Sequence, residues 1–493
     1  MKKTNSNIVK LYFSDFFDIS SAKLDRYGAF NISLITDLPL FIDPFLLFNS
    51  RKRIYQKLHK QIIEYLQFLR DKSVGQQLDS GLLSSWYYFS EVEQNWLGFS
   101  ALGNKGRGLG KEFAVALNSN LKNLFPDFGH EKITQSSHLE KLCLIKDKVG
   151  KDTISDFTTN LIKDFLLEFT QTFARKFLKP NQRKRFSISK AKFNYKTESW
   201  ETKSYSLPFY NNDFIILSPK DLLTKDDTWI NKHDLIADFF NIPNAIPNEQ
   251  LRAQINNYFK SILPKKPKKK DEDFAKRRVF LQFPQLIDYF IKYKEENGQE
   301  AYNRSIKYVF ESKQLYVEQF GKLIELLKDN SDFYNITVST SHDVKNRLLY
   351  LKDVIENKGG HRIFYLNGKP VSNEEDLQIL YRLTWYSTSS SVTREANDGR
   401  GPVDFKVSKG SKDTTLVEMK LASNSQLKRN LEKQTAIYQK ASDAKTVYKV
   451  ILFFSASEER KIEKILNQLK IQNDKRIILI DARKDNKPSG SKA

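Results

Sequence analysis

Between Val403 and Leu421 the chain carries three ionisable side chains at spacings that a β-strand would bring together. Val403, Phe405 and Val407 alternate with Asp404, Lys406 and Ser408, and the two-residue period of a strand sends these two sets to opposite faces. Beyond Gly410, Leu416, Glu418 and Lys420 share one face while Val417, Met419 and Leu421 share the other. An acid and a base thus sit side by side on a mostly apolar strand, with a second acid on the strand before it. Burying such groups is costly unless they are paired or bound to a cation. Two carboxylates from adjacent strands can hold a hard divalent cation through oxygen, with the carbonyl of Met419 as a further ligand and waters completing the octahedron. Lys420 would then stabilise charge on a phosphate under attack, or orient the attacking water.

GPVDF (Gly401 to Phe405) followed by VEMK (Val417 to Lys420) resembles the PD-(D/E)XK, or restriction-endonuclease-like, nuclease superfamily. The resemblance places the family's metal-binding acid on Asp404, its D/E on Glu418 and its lysine on Lys420, and it implies Mg2+ (or Mn2+) as cofactor. Pro402 stands two residues before Asp404, with Val403 inserted. QTAIY, with Gln434 and Tyr438 one helical turn apart, resembles the Q-x-x-x-Y element of the RecB-type branch. The resemblance gives Gln434 a part in positioning substrate or the metal's waters. Tyr438 serves either substrate or simple packing. Family members often add an acid from the first helix of the core, where Glu374, Glu375 and Asp376 all qualify and Glu375 is chosen; all three equally suit the first turn of a helix capped by Asn373. Arg400, Lys406, Lys428 and Arg429 flank these residues and are expected to meet phosphates, although ordinary solvated charge explains any one of them as well. For Glu395 a salt bridge to Arg394 or Arg400 is the plainer reading.

The elements that must position these groups follow from periodicity and punctuation. Residues 361–370 (HRIFYLNGKP) read as a strand, an Asn-Gly turn and the start of a second strand. There follow a helix over 373–386, strands over 392–395, 403–408 and 414–421, a helix over 425–441, a strand over 445–454, a helix over 458–470 and a strand over 476–481. The α-β-β-β-α-β order matches the superfamily's core with an extra terminal pair, and the resemblance covers residues 372–483. A C-terminal α/β domain with a mixed sheet is therefore expected over 361–483, ahead of a disordered tail over 484–493.

The preceding residues read as mainly helical. Apolar residues recur at helical spacing over 50–71 and again over 153–178, where Lys179-Pro180 ends the pattern. A short β-rich patch is expected over 186–217. Residues 263–278 (LPKKPKKKDEDFAKRR) read as a basic Pro/Lys linker between a helical region of unknown role over 1–262 and a helical middle region over 279–360. A chain of 493 residues divides by length into about three domains.

Composition narrows the partners. A net charge of +22 makes nucleic acid the first partner to test, DNA ahead of RNA, and the helical N-terminal region is a candidate surface for a protein partner or a second copy. With Cys143 as the only cysteine the chain holds neither an internal disulfide nor a thiolate zinc site, which fits the cytoplasm. The most apolar run, residues 34–48, contains two aspartates and two prolines and is too short to span a bilayer. Residues 103–111 (GNKGRGLGK) lack the P-loop spacing, which sets ATP hydrolysis aside. The expected function is metal-dependent hydrolysis of DNA phosphodiester bonds, in an arrangement resembling prokaryotic restriction and phage-defence effectors. The alternatives are a non-cutting nucleic-acid-binding or assembly protein that uses the same fold as a scaffold, and an RNA nuclease.

Overall fold

A computed structural model describes residues 10–75, 79–98, 109–125, 127–142, 144, 150–225, 227–264, 266–329, 339–385, 390–397, 402–409, 413–432 and 446–487. The protein is multidomain, with a largely helical N-terminal and middle region and a C-terminal mixed sheet. In the first region α1 (Arg53–Gly75) buries Leu58, Ile62, Leu66 and Leu69 along one stripe. The single helix expected over 153–178 is two, α2 (Lys151–Leu161) and α3 (Lys163–Phe177), parted at Ile162. The hydroxyls of Thr158 and Thr159 donate to the carbonyls of Ile154 and Ser155 one turn back, a bonding pattern that bends helices, and Ile162 adopts φ −101 and ψ 15.

Strands β1 (Arg183–Asn194) and β2 (Ser199–Tyr210) form an antiparallel ribbon, to which β3 (Asp213–Phe214) adds a short edge. The register slips between Ile188 and Lys192, where Lys190 takes φ +48. From that bulge Lys190 Nζ donates to the carbonyl of Tyr88 at 3.0 Å and so ties the ribbon to the body.

Helix α4 (Glu249–Ile262) is followed by α5 (Lys269–Gln282), so much of the stretch expected to be a tether is helical. The reason is local. Asp271 accepts from the backbone N–H of Lys268, and Asp271 with Glu272 places negative charge at the positive helix end, offsetting the lysine run. Ala275, Val279 and Phe280 then give the helix a buried side. Helices α6 (Gln285–Glu296), α7 (Gly298–Ser312) and α8 (Phe320–Asp329) complete the middle region, with a π-helical segment over Lys313–Gln319 between the last two.

Helix α9 (Thr340–Asn357) leads into a tight hairpin, β4 (Tyr365–Leu366) and β5 (Lys369–Pro370). Its turn is the expected Asn367-Gly368, at φ +50 and +79, values that favour these two residue types. Helix α10 (Glu374–Leu383) precedes the main sheet. Strands β6 (Ser391–Asn397) and β8 (Asp413–Leu421) each pair antiparallel with β7 (Pro402–Lys409) between them. After helix α11, described over residues 427–432, strand β9 (Thr446–Phe453), helix α12 (Ala456–Leu469) and strand β10 (Ile477–Asp481) extend the sheet in parallel. The strand order is β10-β9-β8-β7-β6.

Both faces of this sheet are covered. Val417, Met419, Leu421, Val450 and Leu452 join the large core shared with α9 and α10, whereas Ile451 and Phe453 pack with Leu427, Leu431, Ile462 and Leu466 of α11 and α12. Each such side chain contributes about 1.5–3 kcal/mol when fully buried. The edge strand β10 is capped: Lys352 Nζ donates to the carbonyl of Leu479 at 2.6 Å, and Glu356 accepts from the N–H of Asp481 at 2.8 Å. Helix α10 is also anchored to the preceding regions. Asp376 Oδ1 accepts from the Tyr316 hydroxyl in the π-helical segment at 2.5 Å and from Lys225 at 3.2 Å. Among the described residues no helix is long and apolar enough to cross a membrane.

Candidate active site

The middle of the sheet brings Asp404, Glu418 and Lys420 to one face. Register pairs Leu416 with Lys406 and Val417 with Phe405, and no pair continues beyond. There the side chain of Asp404 takes over from the ladder, its Oδ2 accepting the N–H of Met419 at 2.5 Å. The other oxygen, Oδ1, accepts from Nε2 of Gln378 on α10 at 2.9 Å. On the far side of β8, Lys449 of β9 stands opposite Glu418 in the parallel register.

Lys420 is the hub. Its ammonium lies 3.3 Å from Asp404 Oδ2, 3.3 Å from Glu418 Oε2 and 3.4 Å from Glu374 Oε2. The second oxygen of Glu374 accepts from Asn424 Nδ2 at 2.7 Å and from the N–H of Leu421 at 3.3 Å, which fixes α10 against the end of β8. Glu418 Oε1 is buried and has no hydrogen-bond partner among the described residues. An orphaned carboxylate oxygen in such a place costs about 1–3 kcal/mol or more.

The cluster's electrostatics follow from burial and crowding. Burial, and then the neighbouring Asp404, push the Glu418 carboxyl up to about 8 against the opposing pull of Lys420. Burial raises Asp404 as well, with Lys420 and the Met419 N–H working the other way. For Lys420 burial favours the neutral amine, but Asp404, Glu418 and Glu374 together override it and hold the ammonium charged. Lys449, whose Nζ donates to the Leu431 carbonyl at 2.7 Å, is lowered to about 8 by burial despite the nearby Glu418.

Three carboxylates therefore surround a point already occupied by positive charge. Among the described residues no group of three or more His, Cys, Asp or Glu forms a ready cation cage, because the Lys420 ammonium stands between the acids. In donor chemistry the residues fit a hard divalent cation: every side-chain donor is a carboxylate oxygen, and Glu418 Oε1 offers one that no other described residue uses.

The remaining sequence-derived residues are placed as follows. Met419 is buried on β8 between Glu418 and Lys420, and its N–H enters the site. No hydrogen bond or ion pair joins Glu375 to the cluster; the first-helix acid that reaches it is Glu374, because the phase of α10 points Glu374 and Gln378, four residues apart, toward β7 and β8. Asp376, on another side of the same helix, serves the anchor to Tyr316 and Lys225. Lys406 shares the strand face of Asp404, and Lys428 and Arg429 are exposed on α11. Glu395 occupies the register position beside Asp404 on β6. Arg400, Gln434 and Tyr438 lie outside the described residues. Gln378, Glu374 and Lys449 are the contributors that the strand pattern alone did not single out. The i, i+4 spacing of Glu374 and Gln378, which puts them on one side of the helix, was the available signal for the first two.

Two family models match the chain, each described as a domain of unknown function: DUF8370 over residues 18–231 and DUF8371 over residues 340–456. The second span opens at the first residue of α9 and takes in Glu374, Gln378, Asp404, Glu418, Lys420 and Lys449. No curated protein and no solved structure matches the chain.

Proposed function

We propose that the C-terminal α/β unit is a metal-dependent nuclease of the PD-(D/E)XK type that hydrolyses DNA phosphodiester bonds, in a setting like that of restriction or anti-phage effectors. The observation that carries this reading is the convergence of Asp404, Glu418 and Glu374 on Lys420 beside the orphaned Glu418 Oε1. Structural salt-bridge clusters normally satisfy their buried oxygens, and this one does not.

In this reading Asp404 and Glu418, with the Met419 carbonyl and with Glu374 nearby, hold Mg2+ or Mn2+. A bound divalent ion would lower the pKa of a coordinated water and neutralise phosphate charge. The chain's own residues do the rest. Gln378 and the Met419 N–H fix the Asp404 carboxylate in one orientation. Glu418 must give up its proton before it can ligate, so cation affinity rises with pH. Lys420, held charged by its three acids, donates to a non-bridging oxygen of the scissile phosphate or to the attacking water.

Purified protein with Glu418→Ala or Lys420→Ala, assayed on plasmid and linear DNA with Mg2+ or Mn2+, tests the reading. Cleavage by the parent chain and its loss in both variants is expected; unchanged cleavage in either would remove the site assignment. Metal-independent binding without cleavage would instead favour a scaffold role, and labelled RNA of matching sequence separates the RNA-cutting alternative.

A further inference from the structure

The excess positive charge of this protein is unevenly spread. Residues 175–203 carry ten lysines and arginines against two glutamates, a large part of the chain's +22 in one short segment. That segment is the end of α3 and the β1–β2 ribbon. One face of the ribbon is buried, with Ile188, Ala191, Tyr205 and Leu207 in the large core against α3. The other face is mostly exposed, and strand alternation fills most of it with cations and hydroxyls: Arg183, Arg185, Ser187, Ser189 and Lys192 on β1, with Thr202 and Ser204 on β2.

Most cations of this face are uncompensated. Lys184 and Lys203 belong to the opposite face, over the Phe209 ring and paired with Asp164, and Lys190 caps carbonyls of the body, but Arg183, Arg185 and Lys192 on the outer face and the exposed Lys196 in the turn have no carboxylate within ion-pair distance among the described residues. Glu201, the one acid on the strands themselves, stands opposite Lys192 in the register but accepts from Asn194 instead. Exposed ammonium and guanidinium groups beside serine and threonine hydroxyls are the side chains that contact phosphate oxygens and base edges. A two-stranded ribbon also fits the major groove of B-DNA, about 12 Å wide, whereas the deep and narrow major groove of A-form RNA excludes it.

We infer that the outer face of the β1–β2 ribbon is a docking surface for duplex DNA, separate from the cutting cluster. The inference goes beyond the proposed nuclease activity and does not need it, because binding is read in EDTA, where no cleavage step enters.

The test uses the full chain and fluorescence anisotropy on labelled duplex DNA over a salt series. Arg183→Ala, Arg185→Ala, Lys192→Ala and Lys196→Ala are combined in one variant. A control removes an equal charge elsewhere, at the exposed Lys266, Lys268, Lys269 and Lys270. Each lost phosphate contact should lower the slope of log affinity against log salt by about 0.9, so the ribbon variant should lose up to about 4 in slope, with the control close to the parent. A second variant, Ser187→Asp with Ser189→Asp, adds negative charge without deleting a cation and should weaken binding too. Equal losses in the ribbon and control variants would reduce the effect to bulk charge and overturn the inference. So would parent-like binding by both ribbon variants with an unchanged thermal midpoint, or tighter binding by the parent to duplex RNA than to duplex DNA.

Discussion

Gln378 holds Asp404 from behind: its side-chain amide donates 2.9 Å to Oδ1, leaving Oδ2 to the Met419 N–H and the Lys420 ammonium. An acid gripped on both oxygens cannot swing away when its neighbours change protonation. Groups that orient a ligating carboxylate in this way typically cost about 10–100-fold in metal affinity or activity when removed. Gln378→Ala should therefore raise the Mg2+ concentration needed for half-maximal cleavage by a factor in that range. An unchanged metal titration curve would show that Asp404 needs no support from α10.

Helix α10 offers a direct comparison between adjacent acids. Glu374 reaches Lys420 at 3.4 Å, whereas among the described residues Glu375 makes no hydrogen bond or ion pair with the cluster. Glu374→Gln should reduce cleavage about tenfold or more, in line with the loss of an outer ligand or orienting group. Glu375→Gln should leave it within about twofold, as expected of a group with no contact to the site. Equal losses in the two variants would mean that the helix turns to present a different face when cation and substrate bind.

The raised Glu418 carboxyl makes a stability prediction that needs no activity. In the folded state it titrates at about 8 against an ordinary value of 4.5, so the folded chain holds this proton more tightly than the unfolded one. Its favourable contribution is complete below 4.5 and is lost as pH rises toward 8. In metal-free buffer Glu418→Gln should consequently raise the thermal midpoint relative to the parent more at pH 8 than at pH 5. A difference of constant size at the two pH values would mean that Glu418 is already ionised when folded.

The anchor between α10 and the preceding regions is a buried ion pair, Lys225 with Asp376, reinforced by Tyr316. Removing one partner leaves the other charge buried and uncompensated, at a cost of about 3–5 kcal/mol. Lys225→Met should shift the urea midpoint accordingly, and Lys225→Met with Asp376→Leu should recover part of the loss. No recovery in the double variant would place the energy in packing rather than charge.

How far the residues alone disclosed this arrangement depends on what each pattern encodes. Alternation in VDFKV and TLVEMKL fixed which side chains share a face, and the register bears this out. Asn367-Gly368 announced its own turn. Helix phase was a different matter: Glu374, Glu375 and Asp376 all suit a first turn, and only the packing of Leu377, Leu380 and Tyr381 into the core decides which acid faces the sheet. The bend at Ile162 depended on threonine hydroxyls that were free to bond either way, and the helix over 269–282 depended on two acids placed to offset a lysine run. The charge of the ribbon was countable from the sequence, but its concentration on one exposed face became visible only once β1 and β2 were paired.

The capped margin of β10 also limits how copies of this protein can meet. Lys352 occupies the carbonyl and Glu356 the N–H that an incoming strand would have to use, so strand exchange or fibre-like stacking across that border is blocked by two ordinary surface charges.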